Sequence, residues 1–412
     1  MLSFKYRLKP TMAQITILEE QLKLCQWTYN TFLGYCYDER KSGKGTPRTI
    51  SMTYLLPIWK ERNPELNEVH SQVLQNVIDR VRLGFEGHWA RKKLKMRSHT
   101  PKFKKTDDYS SLTYTQSGFK LNNNTLKLSK IGDIKIIQHR PVEGKVKRLT
   151  ILRESSGKWY ASFSCEVKNK PILGRFPSVG IDFGLHSLVA FDDGTKIEAP
   201  QYYRKTYEKL RRTQRIFSKK KVGSNNRLKQ RIRLAKVYEK EANQRKDLSF
   251  KIAREIVNKY ERIYVEDLKI TNMVKNKHLS KSIYDAGWGI LKNNLTYMAK
   301  MSLGRTVLVN PKNTTQICSG CGVIVRKDLS VRIHSCPECG LVLDRDVNAA
   351  RNILRNGIES ERLELTLVGV PTSTITQRSG KQVGSMNQET TLLCDGSSQS
   401  PCNVLKELGV CS

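Results

Sequence analysis

The spacing of hydrophobic residues along this chain changes character three times, and each change marks a different kind of element. From Ile15 to Cys36 the apolar positions Ile15, Leu18, Leu22, Cys25, Tyr29, Phe32 and Cys36 recur three or four residues apart. That spacing places them on one face of an α-helix. Thr11 with Gln14 three residues later has the pattern of a capping box, so the helix should begin just after Pro10. Residues 4–9 ahead of it suit a short strand. A Gly/Ser break over 42–47 follows, and a second helical pattern runs through Val73, Leu74, Val77, Val81, Phe85 and Trp89. Residues 11–100 therefore read as a small helical bundle.

Beyond Pro101 the pattern turns to short strands, expected at 112–116, 125–129, 133–138, 146–153 and 158–167. Glu154-Ser155-Ser156-Gly157 reads as the hairpin loop between the last two. These strands predict an antiparallel β-barrel to which residues 2–9 would contribute, with the helices as an insertion. A linker near Lys168–Pro177 leads into a region of α/β character, with strands over Val179–Asp182, Leu188–Phe191 and Ile263–Val265 and a helix over 248–260. Between them Leu210, Ile216 and Phe217, then Leu228, Ile232, Ala235 and Tyr238, recur at helical spacing. They predict the apolar side of helices whose other faces are Lys and Arg.

Charge then narrows the function. The 412 residues carry 73 Lys+Arg against 38 Asp+Glu, a formal net charge of +35. Such a chain repels itself unless a polyanion neutralises it, which makes nucleic acid the expected partner. An anionic membrane surface is the weaker alternative, because the basic residues are spread over several segments. No run of about 18 apolar residues marks a membrane span, and MLSFKYRLKP at the start has no signal-like apolar stretch, so cytoplasmic location is expected. The last 60 residues hold five basic and six acidic residues, so the excess lies on residues 1–352. Two segments are extreme: eight basic residues and no acid from Arg91 to Lys105, and 17 basic against three acidic from Arg204 to Lys246. Candidate phosphate contacts are Arg91, Lys92, Lys93, Lys102, Lys104, Arg211, Arg212, Lys219, Lys220, Lys221 and Arg231. Tyr203, Tyr207 and Phe217 lie among these and could stack on bases, with core packing the other role for Phe217.

Two motifs carry chemistry. Cys318, Cys321, Cys336 and Cys339 form two CxxC knuckles, CSGCG and CPECG, separated by fourteen residues. Two such turns can close four thiolates around one Zn²⁺, a filled site with no place for substrate. His334, near the second knuckle, is expected at the surface. The other motif is acidic. VGIDFG and IYVEDL place Asp182 and Glu266 at the ends of apolar strands, and LDRDVNAARNIL places Asp346 at the start of a helix. Strand-end carboxylates of one sheet converge at one edge, where paired divalent cations could work on a phosphodiester. Asp267 could replace Glu266 in that role, and Asp344 could replace Asp346, leaving Asp346 as a helix cap.

Taken in order, GIDFG, VEDL, CSGCG/CPECG and DRDVNAARN resemble the RuvC-like nuclease of TnpB proteins of insertion sequences, relatives of compact type V CRISPR effectors and Fanzor proteins. NQRKDLSFKIAREIV, DAGWG, NPKNTTQICSGCG, YRLKPTMAQ and PKFKK extend the resemblance over about residues 4–356. Many members have His where Phe250 stands. The resemblance implies a multidomain α+β architecture. A wedge-like β-barrel (1–10 and 101–170) carries an inserted helical recognition domain (11–100). An RNase H-like RuvC α/β domain (178–312 and 341–356) carries an inserted zinc ribbon (313–340), and a flexible tail (357–412) ends the chain. It implies an RNA-guided DNA endonuclease that takes its guide from the transposon end, recognises a short target-adjacent motif and cuts both strands. The two catalytic Mg²⁺ would be held by Asp182, Glu266 and Asp346, and the structural Zn²⁺ by Cys318, Cys321, Cys336 and Cys339. The partners would be guide RNA and double-stranded DNA, bound by a monomer. Other readings with some of these features are a CRISPR-guided effector, a nuclease-silent RNA-guided binder, a transposase on the same acids, and a sugar-kinase-like ATPase with GIDFG-type turns.

Overall fold

The computed structural model describes residues 1–367 except Arg48, Gln201, Lys277 and Leu329. It opens with strand β1 (Leu2–Lys9), followed by helices α1 (Met12–Lys41), α2 (Thr49–Arg62) and α3 (Ser71–Lys93). Phe4, Tyr6 and Leu8 of β1 are buried while Ser3, Lys5 and Lys9 face outward, the alternation of a half-covered strand. Thr11 caps α1: its side chain accepts the Gln14 N–H, and the Gln14 side chain accepts the Thr11 N–H at 3.0 Å. Every one of Leu18, Leu22, Cys25, Tyr29, Phe32 and Cys36 is buried. Each large side chain among them contributes about 1.5–3 kcal/mol relative to exposure.

Six strands follow: β2 (Ser111–Tyr114), β3 (Phe119–Asn122), β4 (Thr125–Leu128), β5 (Gly132–Ile137), β6 (Lys145–Arg153) and β7 (Trp159–Glu166). With β1 they form a barrel-like antiparallel sheet in the order β2-β6-β7-β1-β5-β4-β3. The first strand of the chain thus sits between β7 and β5, with Phe4 opposite Phe163 and Leu8 opposite Ile136. The three helices are spliced between β1 and β2 and share one hydrophobic core with the sheet. Arg80 of α3 ties the two together through Thr113 Oγ1 at 2.7 Å and Ser111 Oγ at 3.0 Å. The expected hairpin loop is present, with Gly157 at φ +79°. Helix α2 and strand β3 were not foreseen: α2 carries Pro57 inside it, and β3 is only four residues long.

The second sheet is mixed. It contains β8 (Phe176–Asp182), β9 (Ser187–Phe191) and β10 (Lys196–Glu198). Next come α4 (Tyr202–Ser218), α5 (Asn225–Lys259), β11 (Tyr260–Glu266), α6 (Ile270–Met273), α7 (Ser280–Ala286), α8 (Trp288–Met301) and β12 (Arg305–Val309). The sheet order is β10-β9-β8-β11-β12; β8–β10 are antiparallel neighbours, and β11 runs parallel to β8 and to β12. Its core joins Val179, Ile181, Val265, Ile252, Ile256, Leu291 and Leu295. A short hairpin of β13 (Ile333–Ser335) and β14 (Val342–Asp344) precedes α9 (Arg345–Leu367).

Several expectations are corrected. The helix placed over 248–260 is the end of one 35-residue helix, α5, which begins at Asn225 behind a Ser224 cap. Of the apolar positions assigned to the basic helices, Leu210 is buried, whereas Ile216, Leu228, Ile232 and Tyr238 are exposed. The helical spacing there is real, but most positions on that face are only partly covered. Strand β8 begins at Phe176, inside the expected linker. Helix α9 continues to Leu367, through the first residues of the expected flexible tail; positions 368–412 lie outside the described residues.

Candidate functional site

Asp182 ends β8 and Glu266 ends β11. The two strands are parallel neighbours with Ile181 opposite Val265, so their carboxylates emerge at the same sheet edge. Asp346, the second residue of α9, meets them there. All three are 7% exposed. Burial pushes the Asp182 carboxyl well above the usual carboxylate range, the charges of Glu266 and Asp346 add to the rise, and Arg345 opposes it. Burial also raises Glu266, while the Thr314 hydroxyl, which donates to its Oε1, pulls it back. Arg345 Nε stands 3.4 Å from Asp346 Oδ1. A buried carboxylate disfavoured by two neighbouring ones is short of positive charge, and a hard divalent cation fits that deficit. The cluster is open: among the described residues, only the four cysteines bring three or more such ligand atoms within 4.8 Å of one another.

The alternative acids have other partners. Asp344 Oδ1 accepts the backbone N–H groups of Asp346 at 2.9 Å and Val347 at 3.3 Å, so it caps α9, and its Oδ2 pairs with Lys196 Nζ at 2.7 Å. Asp267 is half exposed and pairs with Lys292 at 3.3 Å.

Close packing fixes the edge. A Cβ on Gly180 would lie 2.1 Å from the Ala350 carbonyl oxygen, so β8 and α9 touch backbone to side-chainless backbone. Trp288 Nε1 donates to the Gly184 carbonyl at 3.2 Å, anchoring the turn after Asp182 to α8.

The four cysteines come together beside this edge. Cys318 Sγ lies 3.6 Å from Cys339 Sγ, and Cys321 Sγ 3.5 Å from Cys336 Sγ. A tetrahedron with metal–sulfur bonds of about 2.3 Å has edges of about 3.8 Å, so the set fits Zn²⁺. Burial pushes the Cys318 thiol up, but the N–H groups of Cys321 and Gly320 and the His334 side chain outweigh it and hold it down at about 5. His334 is therefore not the surface residue expected. It is fully buried, with Nδ1 against Lys327 Nζ, and it packs behind the knuckles.

Two residues that sequence reasoning passed over join the sites. Asn348 Oδ1 accepts the Ser319 N–H at 2.9 Å and its Nδ2 donates to Ile317 O at 2.8 Å. Asn352 Nδ2 donates to Thr314 O at 2.8 Å and to Ile317 O at 2.6 Å. Both are 0% exposed. Two Asn four residues apart among Ala349, Ala350 and Ile353 were the available signal, because a buried polar side chain on an apolar helix face must bond another segment.

The basic candidates lie elsewhere. Arg211 and Arg212 on α4, Lys219, Lys220 and Lys221 in the turn after it, and Arg231 on α5 are exposed. Arg91, Lys93 and Lys102 are exposed, and Lys92 stands over the Trp89 ring at 5.4 Å. Lys104 is half-buried over Tyr29 at 5.4 Å, and its backbone is held by Asn30. Phe217 lies under the Arg227 guanidinium at 4.3 Å, and Tyr207 under Lys281 at 4.9 Å. The side chain of Tyr203 is outside the described residues. A groove between the barrel and α5 is lined by Lys5, Tyr160, Arg231, Tyr238 and Lys246. Among the described residues, no helix is long and apolar enough to cross a membrane.

The fold and site define a basic chain with a barrel-like sheet, a mixed sheet edged by three buried acids, and a cluster of four cysteines that could hold a metal ion. Residues 163–277 match the family described as "Probable transposase" (OrfB of IS605), residues 288–353 the Cas12f1-like TNB domain, and residues 1–45 a helix-turn-helix domain of the OrfB type. A Streptomyces pristinaespiralis protein named "Putative RNA-guided DNA endonuclease" is 33% identical over 86% of this chain and 89% of its own. An Escherichia coli K12 protein of the same name, InsQ, is 30% identical over 86% and 92%. The chain belongs to the TnpB family. The solved Cas12f1–sgRNA–target DNA complex shares the fold, with a TM-score of 0.55 over 82% of each chain at 18% identity.

Proposed function

We propose that this chain is an RNA-guided DNA endonuclease. It would take its guide from an RNA of the transposon end, recognise a short motif beside the target, and cut both strands at one RuvC-like centre of RNase H type. The observation that carries the reading is the meeting of Asp182, Glu266 and Asp346 at one buried edge of a chain with net charge +35. Those three side chains would hold two Mg²⁺, which when bound supply charge stabilisation for the attacking and leaving oxygens of a phosphodiester. The chain's own work is positional. Asp344 fixes the first turn of α9 and so the place of Asp346. Arg345 offsets part of the negative charge. The exposed Lys and Arg of α4, α5 and the turn between them would hold the backbone of a guide–target duplex, which needs no reading of its sequence. Residues 1–10 and 101–170 would act as the wedge, 11–100 as the recognition domain, 178–312 and 341–356 as the nuclease, and 313–340 as a zinc ribbon on Cys318, Cys321, Cys336 and Cys339.

The experiment is to sequence RNA that co-purifies with the protein and to assay Mg²⁺-dependent cleavage of a target matching its variable end. One scaffold ending in a variable guide, with cleavage lost in Asp182→Ala but RNA binding kept, is the expected result. Random RNA, or cleavage retained by the variant, would refute the assignment.

A further inference from the structure

Thr314 is a buried hydroxyl that the proposed chemistry does not use. It is 2% exposed and lies between the acidic centre and the first knuckle. Its Oγ1 has two acceptors in reach, Glu266 Oε1 and the Pro311 carbonyl at 3.3 Å. The Glu266 contact is much the closer, so the single proton goes to the carboxylate. The Thr314 carbonyl is held in turn by Asn352 of α9 at 2.8 Å. Asn352 also binds Ile317 O at 2.6 Å, and Asn348 binds Ile317 O and the Ser319 N–H, on the two sides of Cys318. One buried chain of hydrogen bonds therefore runs from the knuckle backbone through α9 and Thr314 to Glu266. The same helix carries Asp346.

We infer that Thr314 is a positioning residue for the Glu266 carboxylate and that it passes the folded state of the cysteine ribbon to the acidic centre. The inference rests on the reading of Asp182, Glu266 and Asp346 as the metal-binding acids. A hydroxyl donor on one carboxylate oxygen fixes the rotation of the group and leaves the other oxygen to face a cation. Outer hydrogen bonds of this kind set the affinity of a metal site as well as its geometry. A ribbon without its metal would slacken residues 314–319, and with them the Thr314 contact.

The test measures Mn²⁺ binding to the full, zinc-loaded chain by the loss of the free-ion paramagnetic resonance signal. Thr314→Val should weaken Mn²⁺ binding on the order of tenfold while full zinc content is kept. Thr314→Ser should restore it, because the hydroxyl returns. Stripping zinc from the unaltered chain should weaken Mn²⁺ binding as well, and stripping it from Thr314→Val should add little. Wild-type Mn²⁺ affinity in Thr314→Val, beside a weakened Glu266→Gln, would overturn the positioning role and leave the acidic centre standing. Unchanged affinity in Glu266→Gln would overturn the acidic centre and the relay together. If Thr314→Val loses its zinc or fails to fold, Thr314→Ser is compared with Thr314→Ala, and equal Mn²⁺ affinities would overturn the proposal.

Discussion

Asp344 and Asp346 are two residues apart and bonded to each other, yet they face different tasks. The Asp344 carboxylate accepts the Asp346 backbone N–H at 2.9 Å and reaches outward to Lys196, whereas the Asp346 side chain turns inward beside Asp182. One acid sets the start of a helix, and the other uses that start. Asp344→Ala should cost about 1 kcal/mol of stability through loss of the cap and leave cleavage measurable. Asp346→Asn should abolish cleavage and leave the melting transition intact. Paired denaturation curves and cleavage assays decide it; equal loss of cleavage in both would show that the two roles are not separate.

The crowded acids predict a conflict between stability and function. Burial and neighbouring negative charge raise the folded-state pKa of Asp182 above its unfolded value. The folded protein then binds more protons than the unfolded one, so metal-free stability falls as pH rises from the ordinary aspartate range through the raised value. Asp182→Asn should therefore raise the melting temperature in EDTA near neutral pH, and flatten its decline with pH. Mg²⁺ should raise the melting temperature of the unaltered chain and leave that of the variant unchanged. A lower melting temperature in EDTA would contradict the electrostatic account.

Two glycines should respond in opposite directions. Gly180→Ala forces a Cβ to within 2.1 Å of the Ala350 carbonyl, and should destabilise the protein by about 3 kcal/mol as overpacking does. Gly34 lies inside α1 with nothing within 4 Å of its would-be Cβ. Gly34→Ala should stabilise by about 0.5–1 kcal/mol through helix propensity. Chemical denaturation midpoints read both.

Cysteine chemistry gives a metal-analysis prediction. Cys318→Ser removes the buried thiolate of the first knuckle and should lose the zinc, with a looser C-terminal region seen as faster amide exchange over residues 313–344. Native protein that purifies without zinc would refute the site.

The exposed turn between α4 and α5 offers an electrostatic test. Replacing Lys219, Lys220 and Lys221 together by Ala should lower guide-RNA affinity and reduce the slope of log affinity against log salt by about two. An unchanged slope would remove this turn from the phosphate contacts.

Much of this was legible in the chain because the informative residues obey local rules. Thr11 and Gln14 announced their cap, and Asp182 and Glu266 their strand ends, since an apolar strand stopping at an acid needs no long-range knowledge. Other features depended on partners far away in sequence. Ile216, Leu228 and Ile232 have helical spacing but stay exposed, because α4 and α5 pack without enclosing them. His334 is polar beside a cysteine knuckle, and its burial comes from packing the sequence does not display, with β14 alongside it and Lys327 against its ring. Asp344 could not be told from Asp346 by spacing, because its partners are the backbone N–H groups of the next helix and the distant Lys196. Thr314 carries no signal of its own, because its importance lies in a carboxylate 48 positions earlier.

The contact of Gly180 with Ala350 joins residues far apart in the chain. Strand β8 is made well before the helix that must lie against it, which follows the second cysteine knuckle. Until that helix emerges, the acidic edge has two of its three carboxylates and an uncovered strand. A nascent chain therefore cannot bring the three acids together until that helix has been made.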